Sequence, residues 1–565
     1  MNKYDISCSY SLDGDKLTLK NKVFTHTLNG VKEIFSAEQG DSNGLALPYL
    51  EITAAKSDAV LSYRIWDDIP VVFTPIWNNG ELLTLSGMHW VVKNVKLHAF
   101  TDDNDTLVTY GEQHMYHKKL FHPCKGEIFI LEDPITEKAI LIVSETPDYQ
   151  TATLTVKGGT VSVENGGNGL AVGFCNIGEA EMLCRKYYRH ARLCKGLFTM
   201  SNTWGDRNGF SRVCHDFVTH EIDAAERLGV DIVQIDDGWQ SGSTADLTLR
   251  DELGRRVFPD EFWNVNTQRF HDMPALTEYA RKKGVRVGMW FAPDSHGHFA
   301  NIDRDVAVLK KAYDEWGIRF FKLDMFWITS DEDRDRFTEL LRRIYSFGND
   351  VAVQLDVTRN ERPNYLCAKQ YGTVFVENRY TKTVCAYPHR ILRNLWMLSE
   401  YIPSSKFQFE LVNPDLNNEL YEQSDPFNPI TYDMDYLFAT VMLSNPLFWM
   451  EMQFLSEERR EQLDRIMPVW KRHRDAIASC DVLPIGDKPN GRESCGFYLS
   501  RNGKPEYLLI FRQLTHTDRF ALPIPTDNCN TEILISNTDC EIKVENGIAC
   551  GKLGKQRSYA FVKLG

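Results

Sequence analysis

Lys322-Leu323-Asp324 closes an apolar run, Phe320-Phe-Lys-Leu-Asp-Met-Phe326. Alternation along an extended chain sends Lys322 and Asp324 to one side. There the ammonium would keep the carboxylate ionised, as a nucleophile requires; a buried structural ion pair is the competing reading. A second apolar run ends in Asp236-Asp237-Gly238-Trp239, two adjacent carboxylates where one would suffice to cap a helix. Comparable ends carry Asp206, Asp294, Asp356, Glu377, Asn378, Asn413 and Asp415, interleaved with Trp204, Trp290, Phe326, Trp327 and Tyr380. Carboxylates accept hydrogen bonds from hydroxyls, and flat aromatic faces suit the C–H faces of a pyranose. Two carboxyls flanking a glycosidic bond supply an acid and a nucleophile. The residue types therefore point to carbohydrate chemistry. Asp294-Ser-His-Gly-His298 adds an H-x-H whose imidazoles would share one side if extended. Lining of a sugar pocket is the expectation there, with metal ligation as the alternative.

These residues need a scaffold that brings strand ends together. From about 196 to 476, apolar strands alternate with amphipathic segments. The eight strands begin near Leu197, Asp231, Val285, Phe320, Val351, Thr373, Phe407 and Leu447. Helices are expected over His215–Leu228, Pro274–Lys283, Asp305–Trp316, Asp331–Phe347 and His389–Tyr401. Strand then helix, eight times, predicts a parallel (β/α)8 barrel with its site at the C-terminal strand ends. Ser456–Ala476 predicts a closing helix, with Ser456 as N-cap and Glu457 and Glu458 in its first turn. Residues 1–195 read as short strands and turns leading into a helical linker at Glu179, which predicts an N-terminal β-sandwich. Residues 477–565 predict a smaller C-terminal antiparallel β-sandwich.

The 565 residues make several domains the expectation. Lys plus Arg number 64 against 78 Asp plus Glu, a formal charge of −14. That balance argues against nucleic acid or an anionic membrane as partner and agrees with a neutral oligosaccharide or glycoside. The 13 cysteines are scattered without C-x-x-C spacing, so no structural zinc is expected and a reduced compartment is favoured. Residues 1–20 contain no apolar leader, which points to the cytoplasm, with periplasm or secretion open if a leader has been trimmed. No apolar run approaches a membrane span.

The chain also resembles glycoside hydrolase family 36 and its clan of retaining α-galactosidases and α-N-acetylgalactosaminidases. Asn202-Thr-Trp204 is similar to the family's Asn-Ser-Trp, and Ile235-Asp-Asp-Gly-Trp239 to its Leu-Asp-Asp-Gly-Trp. Gly288-Met-Trp-Phe-Ala-Pro-Asp294 resembles Gly-Leu-Trp-Phe-Glu-Pro-Glu, and Phe321-Lys-Leu-Asp-Met325 resembles Phe-Lys-Trp-Asp-Met. Leu455-Ser-Glu-Glu and Pro468-Val-Trp-Lys-Arg-His-Arg474 are similar to its closing helix. The resemblance implies that Asp324 is the nucleophile and that Lys322 binds a ring hydroxyl. Asp236 and Asp237 would accept hydrogen bonds from the 4- and 6-hydroxyls, and Trp290 and Trp204 would line the pocket. In the family an aromatic from the N-terminal domain can close the pocket; Trp66 and Trp77 are the candidates here, with core packing the expectation for either one. No cofactor or metal is implied.

The second half of the barrel departs from that pattern. Leu355-Asp-Val-Thr-Arg-Asn-Glu-Arg-Pro363 lacks the family's glycine-rich loop, which contacts the sugar's 2-position. Where the family has Trp-x-Ser-Asp-Asn-Thr-Asp, this chain has Phe375-Val-Glu-Asn-Arg-Tyr-Thr381. Glu377 stands at or next to the expected acid/base; Asp356 is the second choice, and Glu377 paired structurally with Arg379 or Arg390 is the alternative. The expected activity is hydrolysis of terminal α-linked sugars by double displacement. A transglycosylase of the same clan and an inactive sugar-binding homologue are the other readings.

Overall fold

A computed structural model describes residues 9–13, 16–20, 25–29, 31–38, 48–56, 59–66, 71–74, 80–85, 89–97, 107–116, 121–146, 151–166, 168–189, 196–206, 212–358, 372–375 and 379–565. Glu377, Asn378 and Trp77 lie outside the described residues, as does the loop after Thr358.

Antiparallel strands fill the N-terminal third. A nine-stranded sheet faces a four-stranded one. Val92, Phe129, Leu131 and Ile142 of the larger sheet share a buried core with Leu154, Val156, Val161 and Val163 of the smaller. The strand Ile128–Asp133 is buried on both faces. Phe129 and Leu131 point into the sandwich, while Ile128 and Ile130 join a second core shared with helix α1 (Ala180–Arg189). That is why its sequence reads as continuous apolar rather than alternating. Helix α1 leads into the barrel, and its Arg189 donates to Ser479 O and Cys480 O at the C-terminal end of the barrel's last helix.

The barrel is closed by eight parallel strands. They are β1 (Met200–Asn202), β2 (Ile232–Ile235), β3 (Arg286–Phe291), β4 (Phe320–Leu323), β5 (Ala352–Asp356), β6 (Thr373–Phe375), β7 (Phe407–Leu411) and β8 (Asn445–Phe448). Met200 pairs with Leu447, which joins β1 to β8 and abolishes the sheet edge. Trp290 pairs with Lys322, and Lys322 with Gln354, so strands 3 to 5 bring these residues to one level. Met200, Ile232, Phe320, Phe375, Leu447 and Trp449 form one buried cluster. It combines with alternation to define the barrel interior as packed side chains rather than a pore.

Helices α2 (His215–Leu228), α3 (Met273–Lys282), α4 (Ile302–Trp316), α5 (Asp331–Tyr345), α6 (Pro388–Leu398), α7 (Met434–Val441) and α8 (Glu457–Ser479) follow between and after the strands. Helix α2 ends in Gly229 at φ 74°, a left-handed C-cap that costs an L-residue more than glycine. Ser456 occupies the N-cap of α8 as expected but makes no capping hydrogen bond. Its hydroxyl donates instead to Asp415 at 2.9 Å, tying α8 to the loop after β7. No described helix is long and apolar enough to cross a membrane.

Beyond Ser479, a five-stranded and a three-stranded antiparallel sheet enclose Ile485, Leu508, Ile510, Phe520, Leu522 and Ile542. Gly496-Phe-Tyr-Leu-Ser, Glu506-Tyr-Leu-Leu-Ile-Phe-Arg, Thr531-Glu-Ile-Leu-Ile-Ser and Ala560-Phe-Val-Lys-Leu read as strands from the sequence; Asp481–Gly486, Arg519–Pro523, Cys540–Glu545 and Ile548–Leu553 are four more. Prolines within or at the ends of two of them hide the strand signal.

Candidate active site

The tip of β4 carries the site's central ion cluster. Lys322 is fully buried, and its Nζ lies 3.0 Å from Asp236 Oδ2, 3.8 Å from Asp324 Oδ2 and 3.8 Å from Asp356 Oδ2. Burial alone would lower its pKa. The three carboxylates outweigh that effect and raise it, so the ammonium stays charged. The aromatic faces of Phe375 and Trp449, 5.7 and 5.4 Å from Nζ, complete its surroundings.

Asp324 follows the last residue of β4, and its N–H donates to Phe291 O at 3.0 Å. Oδ2 accepts the indole N–H of Trp290 at 3.0 Å; Oδ1 accepts the Met325 N–H at 2.5 Å. Met325 adopts φ 57°, a left-handed turn that folds its own N–H back onto the carboxylate. Trp290 is itself fixed: it is almost wholly buried, and its carbonyl accepts the Trp239 indole N–H at 2.8 Å.

Asp236 and Asp237 divide their work. Asp236 Oδ2 accepts from Asn202 at 2.7 Å as well as from Lys322, and Oδ1 accepts the Asp237 N–H at 2.9 Å. Asp237 turns the other way, its two oxygens held by Gln240 and Thr244. Burial pushes the Asp237 carboxyl up from its ordinary value, opposed by those hydrogen bonds and reinforced by the negative charges of Asp236 and Asp324. Asp356 accepts both the N–H and the hydroxyl of Thr358 on Oδ1, at 3.1 and 2.7 Å, leaving Oδ2 toward Lys322. Trp204, half-buried beyond β1, donates its backbone N–H to Asn202 and packs on the barrel-interior cluster.

Of the residues singled out in the sequence, Asp324, Lys322, Asp236, Asp237, Trp290 and Asp356 thus converge, and Trp204 packs beside them. Asp294 is a correction. It is fully buried, and its carboxylate is taken by Arg304 at 2.6 Å, Asn301 at 2.8 Å and the His296 N–H at 3.1 Å. Strand β3 has ended by then, so alternation no longer governs where Asp294 points; it braces the loop after β3. In the same loop the condition placed on the H-x-H, an extended backbone, is not met. His296–Phe299 is a short helical turn with φ of 55°, 58° and 59° at Gly297, His298 and Phe299, not an extended segment. Asp206 lies elsewhere again, accepting the Glu451 N–H at 2.9 Å, with burial pushing its carboxyl up to about 7.

Several site residues were not singled out beforehand. Asn202 stood in a recognised motif, yet its bond to Asp236 spans 34 residues. Trp449 sits in an apolar run with no polar marker. Gln240 and Thr244 follow Asp237 closely enough that local spacing could have suggested them.

The barrel with an N-terminal and a C-terminal β-sandwich is a fold shared with solved sugar-processing enzymes. The galactosidase domain of the α-galactosidase–sucrose kinase AgaSK superposes with a TM-score of 0.67 at 13% identity, covering 94% of this chain and 86% of that one. The α-galactosidase from Lactobacillus brevis gives 0.65 at 10% identity, covering 99% and 84%. A variant of the family 36 α-galactosidase AgaA from Geobacillus stearothermophilus, solved in complex with raffinose, gives 0.64 at 11% identity, covering 96% and 88%. No family model and no curated protein matches the sequence.

Proposed function

We propose that this chain is a retaining α-glycosidase of the α-galactosidase type, releasing a terminal α-linked sugar by two displacements. One observation carries the reading: a carboxylate, Asp324, held at the tip of β4 by an indole N–H and faced by a buried ammonium. The hydrogen bond fixes its direction and the cation favours its charge, which are what an attacking carboxylate needs. The fold shared with α-galactosidases and the bound raffinose of one of them support the choice of substrate class.

In the first displacement Asp324 bonds to the anomeric carbon while an acid protonates the departing oxygen. The sugar is then held as a β-linked ester. In the second, the same group, now a base, takes a proton from water, and water displaces Asp324 to release the α-anomer. Glu377 is our choice for that group, placed by its position in the sequence after β6. Asp236 and Asp237 accept hydrogen bonds from the sugar's hydroxyls, and Lys322 donates to a ring hydroxyl beside them.

A panel of nitrophenyl α-glycosides (galactose, N-acetylgalactosamine, glucose, arabinose), with the product anomer followed by NMR, tests the proposal. Fastest release from the galactoside with the α-anomer formed first supports it. Formation of the β-anomer, or no release from any member, overturns it.

A further inference from the structure

A buried arginine lies across the loops that follow β2, β3 and β4. Arg255, from the loop after β2, binds Asp333 in a fork at 2.9 and 3.0 Å, Thr329 Oγ1 at 2.8 Å and Ser295 O at 2.6 Å. Its own backbone is tied down, since the Arg255 N–H donates to Asp251 at 2.8 Å. Asp333, in the first turn of α5, accepts the Thr329 N–H and hydroxyl, each at 2.9 Å, and donates its N–H to Ser330 Oγ at 3.1 Å. A two-pronged bond to a carboxylate fixes direction as well as distance. One side chain therefore sets the spacing of three loops.

Two of those links are placed alike with respect to the candidate nucleophile. Ser295 stands five residues beyond Trp290 on the chain leaving β3, and Thr329 five residues beyond Asp324 on the chain leaving β4. Strands β3 and β4 are neighbours, and the 3.0 Å bond from the Trp290 indole to Asp324 joins them at their tips. Arg255 joins the same two chains a few residues further out. Neither chain has slack in between. From Trp290 to Ser295 it runs through buried Phe291, Ala292 and Asp294. From Asp324 it passes through Met325 at φ 57°, then buried Phe326, stacked on Phe337 of α5 with ring centroids 4.4 Å apart, then buried Ile328. A left-handed non-glycine residue persists only where its surroundings over-determine it. A shift at Thr329 or at the start of α5 is thus passed back to Asp324 along a stiff segment.

We propose that Arg255 is a positioning residue for Asp324. Its fork holds the chains leaving β3 and β4 at the spacing that lets Trp290 donate to Asp324, and so aims the attacking carboxylate from a distance. The inference rests on the glycosidase reading above. A misplacement of about 1 Å caused far from the chemistry can cost on the order of 100-fold in rate, so such a clamp bears on catalysis as well as on folding.

The test follows ester formation with an activated fluorosugar of α-galacto configuration, read as a maximal first-order rate constant and a half-saturating concentration. That constant does not depend on how much of the protein is folded. A merely structural role would lower the amount of label and leave the constant unchanged. Arg255→Lys keeps the charge and loses the fork. Its constant should fall about tenfold, with the half-saturating concentration changed by less than about twofold. Thr329→Val removes one link and keeps the side-chain shape; its constant should fall about threefold, and it carries the test should Arg255→Lys not fold. In a Trp290→Phe background the indole N–H is already gone, and either substitution should then cost less than about twofold more. Unchanged constants in both variants, or the same loss with and without the indole N–H, overturn the assignment and leave the glycosidase reading standing. Wild-type protein that takes up no label overturns that reading and this inference with it.

Discussion

Lys322 Nζ and Asp324 Oδ2 stand 3.8 Å apart, too far for a hydrogen bond and near enough for strong attraction. The hydrogen bond to that oxygen comes from Trp290 instead. Charge and direction are thus supplied by different residues. An ammonium at that distance favours the charge of the carboxylate without setting its direction. At an effective dielectric constant of 20 the attraction at this distance is about 4 kcal/mol.

Replacing Lys322 with Met removes the one cation that, among the described residues, faces Asp236, Asp324 and Asp356 together. The three carboxylates would then lose the ammonium they share in a largely buried site, and thermal unfolding should show a loss of about 3 kcal/mol or more. The loss of kcat/KM on an aryl galactoside should be about 100-fold or greater. Lys322→Arg should recover little, because a planar guanidinium does not reproduce the compact ammonium that the three carboxylates share in a buried site. Full activity in Lys322→Met would separate the cation from the chemistry.

Trp290→Phe tests direction without altering charge. It deletes the N–H bonded to Asp324 and keeps an aromatic ring. A hydrogen bond to a charged group contributes about 1.5–3 kcal/mol, so kcat should fall roughly 10- to 100-fold, with KM changed less. A variant with only KM raised would place Trp290 in substrate binding alone.

Glu127, in the N-terminal sandwich, supplies a pH dependence outside the site. Burial pushes its carboxyl up to about 7, against the opposing influence of the Leu97 N–H at 2.8 Å and of Lys96. In the unfolded chain it titrates near an ordinary value of about 4.3. Between those values the folded chain keeps a proton that the unfolded chain has lost. Its contribution is therefore full below about 4, declines as pH rises to about 7 and is constant above. Glu127→Gln retains an acceptor for Leu97 without titrating. Relative to wild type, the variant should gain on the order of 1–3 kcal/mol between pH 4.5 and 7.5 in unfolding of that domain. Parallel stability curves would contradict the assignment.

Much of the barrel could be read from period alone, because each strand is a short apolar run ending in polar residues. Lys322 and Asp324 could be paired because two residues of one strand separated by one position share a face, and the observed cluster keeps them together. Asp236 and Asp237 are adjacent and therefore diverge, one to Lys322 and the other to Gln240 and Thr244. What escaped the sequence lies where alternation stops. Asp294 follows the end of β3, and the His296–Phe299 turn has left-handed backbone no periodicity encodes. Arg255 meets Asp333 across 78 residues of chain, a contact that only the closed barrel creates. Ser456 holds its predicted place, yet its hydroxyl donates to Asp415, 41 residues away, instead of accepting an N–H of its own helix.

The account's central claim is that Asp324 becomes covalently bonded to the sugar. An activated fluorosugar of α-galacto configuration, which forms the ester quickly and releases it slowly, should label the protein once. Peptide mass mapping should place the label on Asp324, and Asp324→Ala should take up none while losing activity on the order of 10⁴-fold. A label on any other residue, or an Asp324→Ala variant that still turns over the aryl galactoside at the wild-type rate, would contradict the account.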